Sequence, residues 1–96
     1  MVRIIGKTLE EIAEERKREK LFSITSSTIK KPLTVQADAE REYIVIRDFS
    51  GYIQIEIHPN ENLINVSSKV YLKSAITLAN KYEKELSGEF TVKKDY

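Results

Sequence analysis

The 96-residue chain has no cysteine, no tryptophan and one histidine, and these absences exclude several classes of function. Without cysteine the chain cannot form a disulfide scaffold, a thiol nucleophile or a zinc site built on thiolates. One histidine, His58, cannot supply the paired imidazoles of a typical transition-metal site. The three glycines stand apart in the sequence, and none of them begins a phosphate-binding loop. We therefore expect no metal and no other cofactor.

Long apolar runs and an excess of one charge are also absent from the sequence. No stretch approaches the roughly 20 apolar residues of a membrane span, and the first residues lack the apolar block of a secretion signal. Sixteen basic and fifteen acidic side chains give a formal charge of +1, which argues against a polybasic nucleic-acid tail. These features predict a cytoplasmic protein with no membrane partner. The composition is rich in Lys and Glu, which is typical of thermophile proteins and also of proteins from AT-rich mesophiles.

What is present is the composition of a folded domain, with 41% hydrophobic and 32% charged residues. The length predicts a single small α+β domain over residues 1–96. Alternation of apolar and polar residues, the period of a half-buried strand, predicts strands in the middle of the chain. The predicted strands cover residues 33–38, 43–47, 52–58 and 63–66, with a last candidate at 90–94. The partner of that last strand is left open.

The hydrophobic pattern also predicts how the second and third strands pair. A two-residue loop at 50–51 pairs Ile46 with Ile55 and keeps the isoleucines on one face. A three-residue loop would instead pair Ile46 with Gln54. Because a slip of one residue exposes a whole hydrophobic set, we predict the two-residue loop. The same reasoning places Val35 opposite Ile46.

The N-terminal helix is predicted to be short and charged. Thr8 followed by Glu11 fits a capping box, and a helix over about 9–20 follows it. Its apolar residues are Leu9, Ile12 and Ala13. So small an apolar face predicts a helix that is loosely docked or that awaits a partner. Residues 21–31 mix β-branched residues with Ser and Thr, and fit neither a helix nor a strand clearly.

A longer C-terminal helix is predicted to begin at Ser67 or Ser68, which would cap it, and to end near Leu86. Gly88 fits a left-handed C-cap. The order of elements predicts an α+β fold, an antiparallel β-meander of three to five strands. The long C-terminal helix packs on its isoleucine face, and the shorter charged N-terminal helix completes the fold.

The second face of the predicted sheet is the strongest candidate for a functional surface. Its candidate residues are Tyr43, Arg47, Phe49, Tyr52, Gln54 and His58. In the predicted register Tyr43 opposes His58, Arg47 opposes Gln54 and Phe49 opposes Tyr52. Three interpretations are open. The N-terminal segment could cover this face, another protein or a second copy could pack on it, or unpaired bases could stack on its aromatics.

A weaker indication of nucleic-acid binding comes from a candidate basic stripe on the C-terminal helix. Its residues are Lys73, Lys81 and Lys84. Phosphate binding needs positive groups gathered on one surface. Glutamates follow closely in the sequence at 83, 85 and 89 and dilute the stripe, so a solvated helix face explains these lysines more simply.

Candidates for catalysis are few. His58 lies two residues from Glu56, but no nucleophile is spaced for a triad. The carboxylates of Asp38, Glu40 and Glu42 lack the glycine and spacing of a calcium loop. We therefore predict no enzymatic activity and no small-molecule substrate. The favoured function is a non-enzymatic interaction or assembly module whose partner is itself or another protein, and the alternative is a single-stranded RNA- or DNA-binding domain.

Overall fold

The computed structural model describes residues 9–38, 40, 42–86 and 88–96, which form an α+β fold around one five-stranded sheet. The helices are α1 (Leu9–Thr28) and α2 (Leu72–Leu86). The strands are β1 (Thr34–Asp38), β2 (Tyr43–Arg47), β3 (Ile53–His58), β4 (Leu63–Val66) and β5 (Thr91–Lys94). They lie side by side in chain order. The first four are antiparallel, whereas β5 runs parallel to β4.

The predicted pairing of the strands is confirmed over most of its length. Val35 lies opposite Ile46, and Ile46 lies opposite Ile55. The pattern continues into β4, where Val66 lies opposite Ile55. Because side chains alternate between faces, this register places the branched apolar residues of all three strands on one side of the sheet.

The predicted two-residue loop between β2 and β3 is wrong. The backbone N–H of Asp48 donates to the carbonyl of Tyr52 over 2.9 Å, so three residues, 49–51, form the loop. Gly51 has φ +89°, a conformation that an L side chain adopts only with strain. A type I turn followed by such a left-handed glycine is a common three-residue hairpin.

A β-bulge reconciles this loop with the isoleucine register. Arg47 pairs with Ile53, whereas the preceding residue of β2, Ile46, pairs with Ile55. Gln54 is therefore the extra residue of a bulge. The bulge absorbs the one-residue slip that a three-residue loop would otherwise impose. The predicted pairs Arg47–Gln54 and Phe49–Tyr52 consequently do not form.

The N-terminal helix also differs from the prediction. It has 20 residues against 15 in α2, because the ambiguous segment after residue 20 is helical as far as Thr28. The predicted apolar face is wrong, since Leu9 is 85% exposed and Ala13 is exposed, while Leu21 and Thr25 are buried. Five acidic and four basic side chains nearly cancel, so the helix carries little net charge. The predicted cap at Thr8 lies outside the described residues.

Both helices pack on the isoleucine face of the sheet. The core joins Leu21 of α1 and Leu78 and Tyr82 of α2 to the inner residues of β2, β3 and β4. Ser68 caps the short turn before α2 by accepting the N–H of Val70. The described residues from 9 to 33 therefore do not cover the second face, which we call the outer face. Among the described helices, none combines the length and the apolar character needed to cross a bilayer.

Candidate interaction surface

In the structure, four of the six candidate residues of the outer face form two separate pairs, and the other two residues lie between the pairs. Tyr43 and His58 lie where β2 begins and β3 ends. Phe49 and Tyr52 lie at the tip of the β2–β3 hairpin, at the opposite end of the same strands. The remaining two, Arg47 and Gln54, lie between these groups. The six residues therefore do not form one continuous platform.

The first group is largely closed by its own packing. The ring centroids of Tyr43 and His58 are 3.9 Å apart, and His58 is only 8% exposed. Its Nε2 lies 3.1 Å from the Asn65 side-chain amide and 3.9 Å from a Glu56 carboxylate oxygen. Because Tyr43 is half-buried and His58 is buried, this pair offers less open aromatic surface for base stacking than the hairpin tip does. Among the described residues, no three His, Cys, Asp or Glu side chains come together as a metal site.

The linking residues stiffen the hairpin. The guanidinium of Arg47 donates through Nε to the Gln36 side chain over 2.9 Å, and through Nη1 to the carbonyl of Gly51 over 2.9 Å. The Gln54 amide donates to Asp48 Oδ2 over 2.8 Å. The bulge at Gln54 thus directs its side chain back toward the loop. These two residues support the loop, although the sequence placed them on the partner face.

Asp48 organises the tip itself. Its Oδ1 accepts the backbone N–H of Ser50 over 2.9 Å and that of Tyr52 over 3.1 Å. Desolvation acts to raise the pKa of Asp48, but the hydrogen bonds from Gln54 and from loop backbone N–H groups outweigh it and hold the pKa below its usual value. The ionised carboxylate therefore fixes the loop that carries the two aromatic residues.

The aromatic side chains on this fixed loop are open to solvent. Phe49 is 85% exposed and Tyr52 is 71% exposed. Rigid, exposed aromatic side chains are enriched at interface hot spots, since they offer large contact area at little conformational entropy cost. Within the predicted face, the tip therefore contributes most of the accessible apolar surface.

Two further exposed apolar residues lie at the same end of the sheet. Val70 follows the end of β4 and is 78% exposed, and Tyr96 follows the end of β5 and is 53% exposed. The backbone N–H of Ser67 donates to the carbonyl of Gln54, which ties the end of β4 to the hairpin, and that of Asp95 donates to the carbonyl of Val66, which ties the end of β5 to β4. We call the surface formed by Phe49, Tyr52, Val70 and Tyr96 the hairpin end.

Basic and acidic side chains are concentrated at opposite ends of the sheet. The segments that meet at the hairpin end carry Lys30, Lys31, Arg47, Lys69, Lys73, Lys93 and Lys94. Among the described residues of those segments, only Asp48 and Asp95 are acidic. The described residues of the opposite end, in the first half of α1, the β1–β2 turn and the last turn of α2, include most of the carboxylates, which outnumber the basic Arg16, Lys17, Arg18 and Lys84 there. The described part of the molecule thus has a basic, apolar end and an acidic end.

The candidate basic stripe is divided by this arrangement. Lys73 lies at the start of α2, near the hairpin end, and Lys84 lies in its last turn, among glutamates. Lys81 donates to the hydroxyl of Thr28 in α1 over 3.0 Å. All three lie on a helix that packs on the isoleucine face, on the opposite side of the sheet from Tyr43 and His58. The stripe and the outer face therefore cannot form one binding surface.

Comparison of the chain with protein-family models, with curated proteins and with solved structures finds no match. The function is therefore inferred from the surface of the molecule itself.

Proposed function

We propose that the chain is a non-enzymatic interaction module that associates with a second copy through the hairpin end. The observation that carries the proposal is the presence at that end of four of the large apolar side chains that the fold leaves exposed, Phe49, Tyr52, Val70 and Tyr96. Exposed apolar side chains gathered at one end of a molecule, among polar groups, are typical of a protein interaction site. Scattered single apolar residues would need no such explanation.

Charge complementarity supports a second copy as the partner. The hairpin end is basic and the opposite end of the molecule is acidic, so the two ends attract one another in a head-to-tail contact. Contacts of this kind close into rings or extend into filaments, depending on the rotation between neighbours. Because the attracting groups are exposed, this contribution weakens with increasing salt.

A second candidate function is binding of single-stranded nucleic acid at the same end. The observation that favours it is the presence of Lys69, Lys93 and other basic side chains beside two exposed aromatic rings. Stacking on aromatics together with backbone phosphate contacts is the usual mode of single-strand recognition. It ranks second because it leaves the acidic end of the molecule without a role.

Sedimentation velocity of the wild type and of a Phe49→Ser/Tyr52→Ser variant tests the proposal. We expect the wild type to form dimers or larger species at micromolar concentration and low salt, and the double variant to be monomeric. Both side chains are largely exposed, so their replacement leaves the fold intact, and circular dichroism checks this. Ile76→Ser, at a half-exposed position on α2, is the matched control and should associate like the wild type.

Fluorescence polarisation with labelled poly-pyrimidine and poly-purine oligonucleotides separates the two candidates. The proposal predicts no oligonucleotide binding at moderate salt. A strictly monomeric wild type that binds oligonucleotides, with binding lost in the double variant, would reverse the ranking. A monomer that binds neither would contradict both candidates.

A further inference from the structure

The free edge of the sheet at β1 has backbone groups that no other described strand pairs with. The N–H of Asp48 points to β3, and residues along a strand direct their N–H and C=O groups to alternate sides. In β2, Tyr43, Val45 and Arg47 therefore face β1, and their partners in β1 face back. The N–H and C=O groups of Val35 and Ala37 consequently point away from the sheet. No described strand pairs with this edge.

The two edges of the sheet differ in their protection. β5, at the other edge, ends in Lys93 and Lys94, and lysines on an edge strand discourage the addition of another strand. β1 has the sequence Thr-Val-Gln-Ala-Asp, with no lysine and no proline. Nothing in the side chains of β1 therefore blocks a strand that pairs with it.

A recess lies on each side of this edge. On the helix side, a cavity of about 650 Å³ between α1 and the sheet is lined by Phe22, Ala37 and Ile44. On the outer face, a cavity of about 470 Å³ is lined by Ala37, Val45 and other residues of β1 and β2. Ala37 lines both and is exposed. A strand added here would direct alternate side chains into the two recesses, since side chains alternate across a sheet.

Carboxylates line both recesses and favour a cationic occupant. The described lining of the helix-side recess includes four carboxylates and one guanidinium, those of Glu15, Glu19, Asp38, Glu42 and Arg18. The outer-face recess is lined by the carboxylates of Asp38 and Glu40 and by Arg47, whose guanidinium is hydrogen-bonded to Gln36 and Gly51. The Arg18 guanidinium lies 3.8 Å from a carboxylate oxygen of Glu42. A second copy paired through β1 would bring two such acidic rims together, which disfavours it. A strand with lysine or arginine side chains would complement them.

We propose that β1 is a docking edge for an extended peptide segment of another protein, one that alternates apolar with basic side chains. The segment adds a sixth strand through the N–H and C=O groups of Val35 and Ala37, the mode of recognition known as β-augmentation. Its apolar side chains enter the recess beneath α1, and its basic side chains lie on the outer face, where the carboxylates of Asp38 and Glu40 line the second recess. The inference rests on the proposed class of function, protein interaction, and it does not involve the hairpin end.

Fluorescence polarisation with a labelled peptide that alternates lysine and valine, Lys-Val-Lys-Val-Lys-Val-Lys, tests the inference. We expect the wild type to bind it and to bind a peptide of alternating glutamate and valine far more weakly. Ala37→Pro removes an outward-pointing N–H without removing a bond to β2, a replacement that edge strands tolerate. It should weaken binding about tenfold. Ala37→Ser, which keeps the N–H, is the matched control and should bind like the wild type.

Two further binding measurements test the inference independently of Ala37→Pro. Two peptides are methylated on alternate backbone nitrogens, one on the odd-numbered and one on the even-numbered residues. Methylation should abolish binding of the peptide whose methylated nitrogens face β1 and leave binding of the other unchanged. This comparison decides the matter if Ala37→Pro fails to fold. The Phe49→Ser/Tyr52→Ser variant should bind the peptide at least as tightly as the wild type, because no second copy then competes for the acidic end that borders β1; this separates the edge from the hairpin end. No peptide binding, equal binding by Ala37→Pro, or an Ala37→Pro variant that changes only the sedimentation of the protein would each overturn the inference.

Discussion

At the scale of single residues, a buried polar pair joins the two helices. The hydroxyl groups of Thr25 in α1 and Tyr82 in α2 are hydrogen-bonded to each other, and both residues are fully buried. Thr25 Oγ1 also donates to the carbonyl of Leu21 over 2.6 Å. Because the Tyr82 hydroxyl is removed from water, any loss of its partner or of its proton destabilises the contact between the helices.

Burial gives this tyrosine a role in alkaline stability. Burial raises the pKa of Tyr82 from its ordinary value of 10.0 to about 12, although the hydrogen bond with Thr25 acts in the opposite direction. A raised pKa of the folded state means that Tyr82 contributes its full stabilisation below pH 10 and loses it as the pH rises from about 10 to about 12. We therefore expect the free energy of unfolding to fall across that interval.

Urea unfolding at about pH 9 and about pH 11 measures this loss. In Tyr82→Phe, which keeps the ring and removes the ionisable hydroxyl, the fall between the two pH values should be smaller than in the wild type. The variant itself should cost about 1 kcal/mol at neutral pH, since one hydrogen bond is lost. An identical fall in both proteins would show that Tyr82 ionises as readily in the folded state as in the unfolded one.

At the scale of elements, the sequence predicts the strands well because a half-buried strand has a strong period of two. The isoleucines fix the register of β2 against β3 whatever loop joins them. The loop itself could not be predicted, because the bulge at Gln54 lets a three-residue turn coexist with that register. The signal that was overlooked is Asp48, three residues before Gly51, since Asp at the first position of a type I turn followed by a left-handed glycine indicates the three-residue form.

The length of α1 is the other feature that the sequence did not predict. Residues 21–28 are rich in Ser, Thr and β-branched residues, which have weak helix propensity. Tertiary packing overrides that propensity, because Leu21 and Thr25, one turn apart, face the core. The helix is therefore anchored by its C-terminal half, whereas the sequence suggested its N-terminal half.

A matched pair of truncations tests this anchoring. Leu21→Ala should lower the free energy of unfolding by about 2–5 kcal/mol, as expected for a fully buried leucine. Leu9→Ala, at an exposed position of the same helix, should change it by less than about 0.5 kcal/mol. Chemical denaturation of the two variants beside the wild type gives both values. Equal costs, or a larger cost for Leu9→Ala, would contradict the observed docking of α1.

At the scale of the whole molecule, the separation into a basic, apolar end and an acidic end is set by topology. Tyr96 lies at the hairpin end only because β5 runs parallel to β4, and an antiparallel β5 would place it at the other end. The helix between β4 and β5 is the sequence signal for that choice, since strands joined through a helix usually run parallel, but the pattern of residues 90–94 identifies no partner strand. The predicted face therefore contained residues of β2, β3 and their loop alone. It did not include Val70 and Tyr96, which the structure places at the hairpin end.

The central claim is that the hairpin end is the surface through which the molecule associates. The most direct measurement is a dilution series from millimolar to micromolar concentration, followed by the amide cross-peaks of the ¹⁵N-labelled protein. We expect the concentration-dependent shifts at that surface to cluster at residues 48–52, 67–71 and 94–96, and to disappear in the Phe49→Ser/Tyr52→Ser variant. Shifts confined to Tyr43, His58 and their neighbours on the outer face, or the absence of any concentration dependence, would contradict the claim.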